Sequence, residues 1–287
     1  MNRRAAIWVA MVFAWSWGLA AVFAVLGLRA EGYLGVAMAV PYLTGPLWVS
    51  LAWKRWVAHE PLGGLDTDIH FGPWLVTAWI APVVVTWAAA LVAHAFGWGQ
   101  FDLTGSAILE RVAALRGAEA AAEMKQQLDA LFVPYPVMVT FQSLVIGVLV
   151  YTPLAFTSEI GWRGVLLREL RPLGTWTAGL LIGTLWGLWQ VPLVLLGHYF
   201  PGEPGLGAVA LVGTCIPMGA VLCWLREKAG TVWAPATAWG VLTAMGNFHE
   251  LVLRGGDPRA TSVLGLAGGV VMLGLAVGLF AADRRRR

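Results

Sequence analysis

The sequence predicts an all-α fold, a polytopic bundle of transmembrane helices, from three properties. Of its 287 residues, 59% are hydrophobic and only 12% are charged, whereas a soluble domain carries about 25% charged residues. The mean hydropathy is +0.71. About eight stretches are also long and apolar enough to cross a bilayer, which takes about 20 such residues. Because open sheet edges are unstable in lipid, the chain is predicted to form one helical membrane domain over residues 1–287.

The predicted spans have uneven ends. They cover residues 6–28, 33–53, 74–97, 134–157, 176–197, 206–225, 231–251 and 262–282. The basic start and apolar run of the first stretch are also features of a cleaved signal peptide. That run is longer than a signal core and further spans follow it, so it is interpreted as an uncleaved helix.

The distribution of Lys and Arg predicts the orientation. If the N-terminus is inside, 13 of the 19 Lys and Arg residues fall on inner segments, and positive charge favours the cytoplasmic side. The sequence therefore predicts an integral protein of a cytoplasmic-type membrane with both termini in the cytoplasm. The net charge of +3 follows from this bias. It does not indicate nucleic-acid binding, so membrane lipid is the partner that the composition implies.

The longest segment between spans, residues 99–134, has helical periodicity in two parts. Apolar residues recur at helical spacing on either side of Gly117, at Ile108, Val112 and Leu115 and then at Met124, Leu128 and Leu131. This pattern predicts two short amphipathic helices that lie on the membrane surface.

An acidic and a basic residue follow the fourth span one helical turn apart. Residues 158–164 read S-E-I-G-W-R-G, with apolar sequence on both sides. A charged side chain within a membrane helix costs about 2.5 to 3.5 kcal/mol, so Glu159 and Arg163 need an explanation. One interpretation is an ion pair at the inner end of the span, with Arg163 reaching toward the headgroups. The other is a functional site.

These residues resemble the first signature of the CPBP family, the intramembrane metalloproteases that include the type II CAAX prenyl endopeptidases. The signature reads E-E-x-x-x-R, and here Ser158 replaces its first acid while Glu159 and Arg163 are kept. In the fifth span, Trp186 and Gln190 are similar to a second signature, in which a histidine follows an aromatic residue.

A third signature, H-x-x-x-N, resembles part of the seventh span. Alignment by the T-V-W sequence at residues 231–233 places Trp239 at the histidine and Thr243 at the asparagine. The resemblance covers residues 151–246 in all. It implies the family's helical architecture and a reaction in which a glutamate activates water and two histidines hold a metal ion, so that a peptide bond is cut within the membrane.

The residues at the matching positions are poorly suited to that reaction. Zinc takes imidazole, thiolate or carboxylate ligands and keeps one position open for water, and a carboxylate must accept the proton of that water. Ser158 is no base at neutral pH, Gln190 is a poor ligand and Trp239 is none. Thr243 can still donate a hydrogen bond. No cofactor is therefore expected, and zinc is expected only if hydrolysis persists.

Three functions remain open. The first is a catalytically impaired homologue that binds membrane-embedded or lipidated, for example prenylated, peptides without cleavage. Its degenerate pocket would comprise Ser158, Gln190, Trp239 and Thr243, although these residues could equally form a structural polar cluster. The second is an active metal-dependent endopeptidase of the CAAX type with a non-standard site, in which the surviving motif residues Glu159 and Arg163 would be catalytic and Glu159 would serve as the base. The third is a transporter, although the sequence has no visible inverted repeat.

Other histidines offer two further combinations for a metal. His198, His249 and Glu250 follow or end the fifth and seventh spans on the outer side, and about 20 Å would separate them from Glu159. The loop D-x-D-x-H contains Asp66, Asp68 and His70 but lacks the additional ligands of a known loop motif. Both sets are interpreted as residues without a metal.

Overall fold

The computed structural model describes residues 2–28, 32–61, 67–200 and 202–285. It confirms a helical membrane bundle: in these ranges, seven helical segments are long and apolar enough to cross a membrane. They are α1 (Arg3–Val25), α2 (Gly32–Trp53, extended by a π-helical turn at Lys54–Ala58), α3 (Pro73–Ala95), a composite helix over Tyr135–Leu173, α9 (Thr175–Leu195), α10 (Pro204–Ala229) and the segment Pro258–Arg285.

The composite helix is the longest element and changes its winding repeatedly. It consists of α6 (Tyr135–Ile146), α7 (Thr152–Glu159) and α8 (Leu167–Leu170), joined by π-helical turns at Gly147–Tyr151 and Ile160–Leu166 and ended by a 3-10 turn at Arg171–Leu173. At 1.5 Å per residue its 39 residues extend about 58 Å, well beyond the roughly 30 Å hydrocarbon core. Glu159 and Arg163, in the second half of this helix, are buried.

The stretch predicted as a span at residues 231–251 is divided into two short helices. They are α11 (Trp233–Ala244), which is buried over most of its length, and α12 (Phe248–Val252). The helix ends where the N–H of Gly246 bonds to the carbonyl of Thr243 at 3.0 Å, a tighter turn than an α-helix makes. This half-length helix lies against α3 and α7 in the centre of the bundle.

Glycine allows that central position. At Gly240, an added Cβ would lie 2.6 Å from the hydroxyl oxygen of Thr152. At Gly147, it would lie 2.7 Å from the Cα of Val241. Both contacts are shorter than atoms can tolerate, so α11 approaches the composite helix only because these two side chains are hydrogen.

One end of the bundle, the N-terminal face, is held by ion pairs. Glu60 accepts hydrogen bonds from Arg4 at 2.5 Å and from Arg168 at 2.6 Å. Asn2 caps α1 and donates to the backbone carbonyl of Glu169 at 3.1 Å. Burial would raise the pKa of Glu60, but the two guanidinium groups outweigh it and hold the pKa below its ordinary value. The N-terminus is thereby joined to α2 and α8.

The opposite face carries the segment between α3 and the composite helix. As predicted, it forms two short helices, α4 (Ser106–Arg116) and α5 (Ala118–Asp129), which break at Gly117 with a φ of 92°. A two-stranded antiparallel ladder of β1 (Gln100–Phe101) and β2 (Leu253–Arg254) joins this segment to the chain after α12. The remaining elements are α13 (Pro258–Thr261) and α14 (Leu266–Arg285).

Candidate functional site

Glu159 and Arg163 form an ion pair inside the bundle. Nη1 of Arg163 donates to Oε1 of Glu159 at 2.6 Å, and both side chains are 0% exposed. The predicted ion pair is therefore present, but Arg163 is fully buried and does not reach toward the headgroups. The helix continues through the π turn that contains Arg163, so the pair is surrounded by protein. π-Helical turns often occur at functional sites.

The pair is incompletely hydrogen-bonded. Within the described ranges, Oε2 of Glu159 and Nε and Nη2 of Arg163 are buried without a hydrogen-bond partner. Removing two charges from water is expensive, and their attraction offsets that penalty only with good geometry and further hydrogen bonds. The pair is thus a locally unfavourable feature that the surrounding fold maintains.

A row of tryptophans links the pair to the third motif. The guanidinium of Arg163 lies over the ring of Trp186, 4.7 Å from its centroid, a distance typical of cation–π attraction. The ring of Trp186 in turn meets that of Trp239 edge-on, with 4.7 Å between centroids. Trp186 is 11 residues into α9, or about 16 Å along its axis. The three motifs therefore meet near the middle of the bundle.

A small cavity lies where the motifs meet. Its volume is about 30 Å³, and its lining includes Ser158, Thr243, Trp239 and Tyr199. A void of about 10 to 15 Å³ admits one water molecule, so this one has room for about two. Both hydroxyls donate to their own helices, Ser158 to the carbonyl of Ala155 at 2.9 Å and Thr243 to that of Trp239 at 2.8 Å. Each keeps an oxygen lone pair free to accept.

Gln190 reaches the same cavity through Tyr199. The Tyr199 hydroxyl lies 3.4 Å from Oε1 of Gln190, and Nε2 of Gln190 lies 3.7 Å from the sulfur of Cys215. The structure therefore brings the four replaced motif positions together. Tyr199 is a site residue that sequence reasoning missed. It has a φ of 68°, which is rare for a residue other than glycine.

A second, apolar cavity lies beyond Trp239. It has a volume of about 300 Å³ and is enclosed by α3, α10, α11 and α14, with Ala81, Met218, Trp239 and Leu275 among its lining residues. The indole of Trp239 thus faces both cavities, one polar and one apolar. No local sequence pattern indicates this cavity, because four separate helices each contribute one side of it.

Comparison with known families agrees with the motif geometry. A family model described as "Type II CAAX prenyl endopeptidase Rce1-like" matches residues 136–245. This region is CAAX protease-like. It runs from α6 to the end of α11 and contains every motif position discussed above, which confirms the resemblance to the CPBP family. No match was found among the curated proteins.

The donor atoms of the CAAX protease-like site do not fit zinc. The four motif positions supply two hydroxyls, an amide and an indole, of which none is a usual zinc ligand. The nearby carboxylate of Glu159 is bound to Arg163. Over the described parts of the chain, no group of three or more His, Cys, Asp or Glu side chains is arranged to hold a metal ion.

The histidines of the chain are not at the motif positions, although His198 adjoins the cavity residue Tyr199. His249 is on α12, where burial lowers its pKa to about 4 and thus keeps the ring neutral. The ring of His198 packs on that of Tyr199 at 4.1 Å, and burial lowers the pKa of His198 as well. In the D-x-D-x-H loop, Asp68 and His70 are exposed, and Asp66 lies outside the described residues.

Proposed function

We propose that this CAAX protease-like membrane protein binds lipidated or membrane-embedded peptides without cleaving them. The observation that carries the proposal is the position of Trp239. Its indole stands at the place of the motif histidine, packs against Trp186 and separates the apolar cavity from the small polar one. A bulky ring there favours retention of an apolar ligand and supplies no lone pair to a metal.

The electrostatics of the site support binding over hydrolysis. A general base must be free to accept a proton within hydrogen-bond reach of the attacking water. Ser158 occupies the position of the first motif acid, and the second acid, Glu159, is engaged by Arg163 at 2.6 Å. The cavity at Ser158 holds about 30 Å³, which is too little for a peptide. A bound peptide would therefore place only its lipid inside the protein.

The apolar cavity fits such a lipid. Small-molecule pockets in proteins measure about 300 to 1,000 Å³ and have mainly apolar linings, and this cavity has about 300 Å³. It lies between helices that the membrane surrounds, so a ligand can enter sideways from the bilayer. Because Trp239 forms one wall of this cavity, the end of a bound lipid chain would lie next to the degenerate motifs.

A photoreactive prenylated peptide tests the proposal. The purified protein should be labelled, and the label should map to residues around the apolar cavity. Ala81→Trp, which fills the cavity, should reduce labelling about tenfold or more. Ala88→Trp is the matched control, because Ala88 is also a half-buried residue of α3 but does not line this cavity. Equal labelling of the two variants would overturn the assignment.

Incubation with the same peptide also distinguishes binding without cleavage from the alternative function, peptide cleavage. The proposal expects intact peptide after prolonged incubation with the protein and added zinc. Cleavage that a chelator abolishes and zinc restores would instead establish an active endopeptidase with non-standard ligands.

We also propose that both termini face the cytoplasm. The support is the bias of Lys and Arg toward the N-terminal face, where Arg4, Lys54 and Arg168 surround Glu60, because positive charge favours the cytoplasmic side. Reporter domains fused to each terminus should both be active on the cytoplasmic side only. An even number of crossings requires that α11 and α12 together cross the membrane in addition to the seven long segments, and reporter activity on opposite sides would disprove it.

A further inference from the structure

A groove between α10 and α14 lies on the lipid-facing surface, away from the motif site. It holds about 800 Å³, and its walls include Leu206, Val209, Gly213, Val270 and Leu273. Four of these side chains are 46% to 70% exposed, the exception being glycine. From Leu206 to Pro217, which also lines the groove, α10 rises about 16 Å. This is close to the thickness of one leaflet, roughly half of a 30 Å hydrocarbon core.

The end of this groove near α13 is charged. Asp257 and Arg259 line the groove and also line an adjoining polar bay of about 400 Å³. Glu203 and Glu250 complete the charged lining of the bay. The two spaces thus form one amphipathic site, with an apolar channel along the helices and a charged recess at its end.

The recess has an excess of negative charge. Three carboxylates face one guanidinium there. Arg259 donates to both oxygens of Asp257 through Nε, at 2.8 and 2.7 Å, and this contact lowers the pKa of Asp257, which stays ionised. Glu250 is paired with Arg111 at 2.8 Å. Glu203 lies 3.8 Å from Nη1 of Arg259, too far for a hydrogen bond, and its side chain is 64% exposed.

We infer that this groove binds a membrane glycerophospholipid whose headgroup is ethanolamine, with an acyl chain along α10 and α14. The ammonium group pairs with Glu203, and the phosphate faces Nη1 of Arg259. A primary ammonium donates up to three hydrogen bonds, which a choline headgroup cannot do. A glycerol headgroup leaves the lipid with a net negative charge beside Glu203. Hydrogen bonding disfavours choline and charge disfavours glycerol, so the recess selects ethanolamine, and this selection is independent of the proposed peptide binding.

Retention of defined lipids by the purified full-length protein tests the inference. Dioleoyl phosphatidylethanolamine, phosphatidylcholine and phosphatidylglycerol are added at equal concentration, and bound lipid is counted by native mass spectrometry. Phosphatidylethanolamine should be retained about fivefold or more over either of the other two. Glu203→Gln should remove this preference. Equal retention of the three lipids would mean ordinary annular lipid and would overturn the inference.

Filling the groove locates the binding site. An added Cβ at Gly213 meets nothing within 4 Å, so Gly213→Trp can enter the groove without displacing the backbone. It should abolish selective retention of phosphatidylethanolamine. Gly278→Trp is the control, because an added Cβ at Gly278 is equally free of contacts and this residue lies on α14 away from the groove. Selective retention by Gly213→Trp, or competition for the groove by the prenylated peptide, would also overturn the inference.

Discussion

The ring of Trp239 stands edge-on to the ring of Trp186, 4.7 Å between centroids and 80° between planes, where the second and third motifs meet. The guanidinium of Arg163 lies over the ring of Trp186, 4.7 Å from its centroid. Tryptophan offers the strongest aromatic face for a cation, so this arrangement stabilises a buried arginine that is otherwise short of hydrogen-bond partners. A tryptophan in place of the motif histidine therefore has a structural role at the point where the resemblance implies a metal.

Restoring the motifs should restore a zinc site. The variant Ser158→Glu, Gln190→His, Trp239→His, Thr243→Asn supplies two imidazoles and a carboxylate around a cavity that three of these four positions already line. We expect about one zinc per chain by metal analysis of the detergent-purified variant. Trp239→His alone should bind none, because a single imidazole is too few ligands. A folded fourfold variant without zinc would show that the second and third motifs are aligned incorrectly.

Removing one charge of the buried ion pair should destabilise the protein more than removing both charges. Glu159→Gln leaves the charge of Arg163 uncompensated, and loss of one partner of a buried pair typically costs about 3 to 5 kcal/mol. Glu159→Leu combined with Arg163→Met removes both charges and should cost clearly less. Thermal unfolding in detergent of Glu159→Gln, Glu159→Leu, Arg163→Met and the double variant measures the difference. Additive losses would show that the two side chains do not stabilise each other.

The sequence predicts seven of its eight apolar spans and the two short helices α4 and α5, because these depend on local composition and periodicity. It does not predict the depth of Glu159. The charges at Glu159 and Arg163 resemble the end of a span, whereas the helix continues through a π turn to Leu173. The two charges are internal only because other helices pack around this part of the composite helix. Gly161 shows how close that packing is, since an added Cβ there would lie 2.7 Å from both Trp8 and Pro46.

The break after α11 escaped prediction for a similar reason. Residues on both sides of Gly246 are apolar enough for a continuous span. The helix ends where the N–H of Gly246 bonds to the carbonyl of Thr243 in a tighter turn. The bond from the Thr243 hydroxyl to the carbonyl of Trp239 does not explain this end, because Thr86 and Thr184 make the same bond inside α3 and α9. The apolar cavity likewise cannot be predicted from the sequence, since it depends on how four helices are spaced.

The close approach of α11 to α7 makes a specific prediction about Gly240. Gly240→Val places carbon atoms where the hydroxyl and backbone of Thr152 already lie, within 2.6 to 2.8 Å of the new Cβ. Overpacking of this kind costs about 1 to 3 kcal/mol, so the unfolding temperature should fall by several degrees. Gly274→Val on α14 is the control, because an added Cβ there meets nothing within 4 Å. Equal unfolding temperatures for the two variants would contradict the position of α11.

His249 should make stability fall in mild acid. Burial lowers its folded-state pKa from 6.5 to about 4, so between these values the unfolded chain binds a proton that the folded protein does not. Stability is therefore complete above the unfolded pKa and declines as the pH falls from about 7 toward 4. Thermal unfolding between pH 7.5 and pH 4.5 measures the effect. The decline should be smaller in His249→Asn, whereas His70→Asn, at an exposed position, should behave as the unmodified protein. An unchanged decline in His249→Asn would show that other groups cause the acid sensitivity.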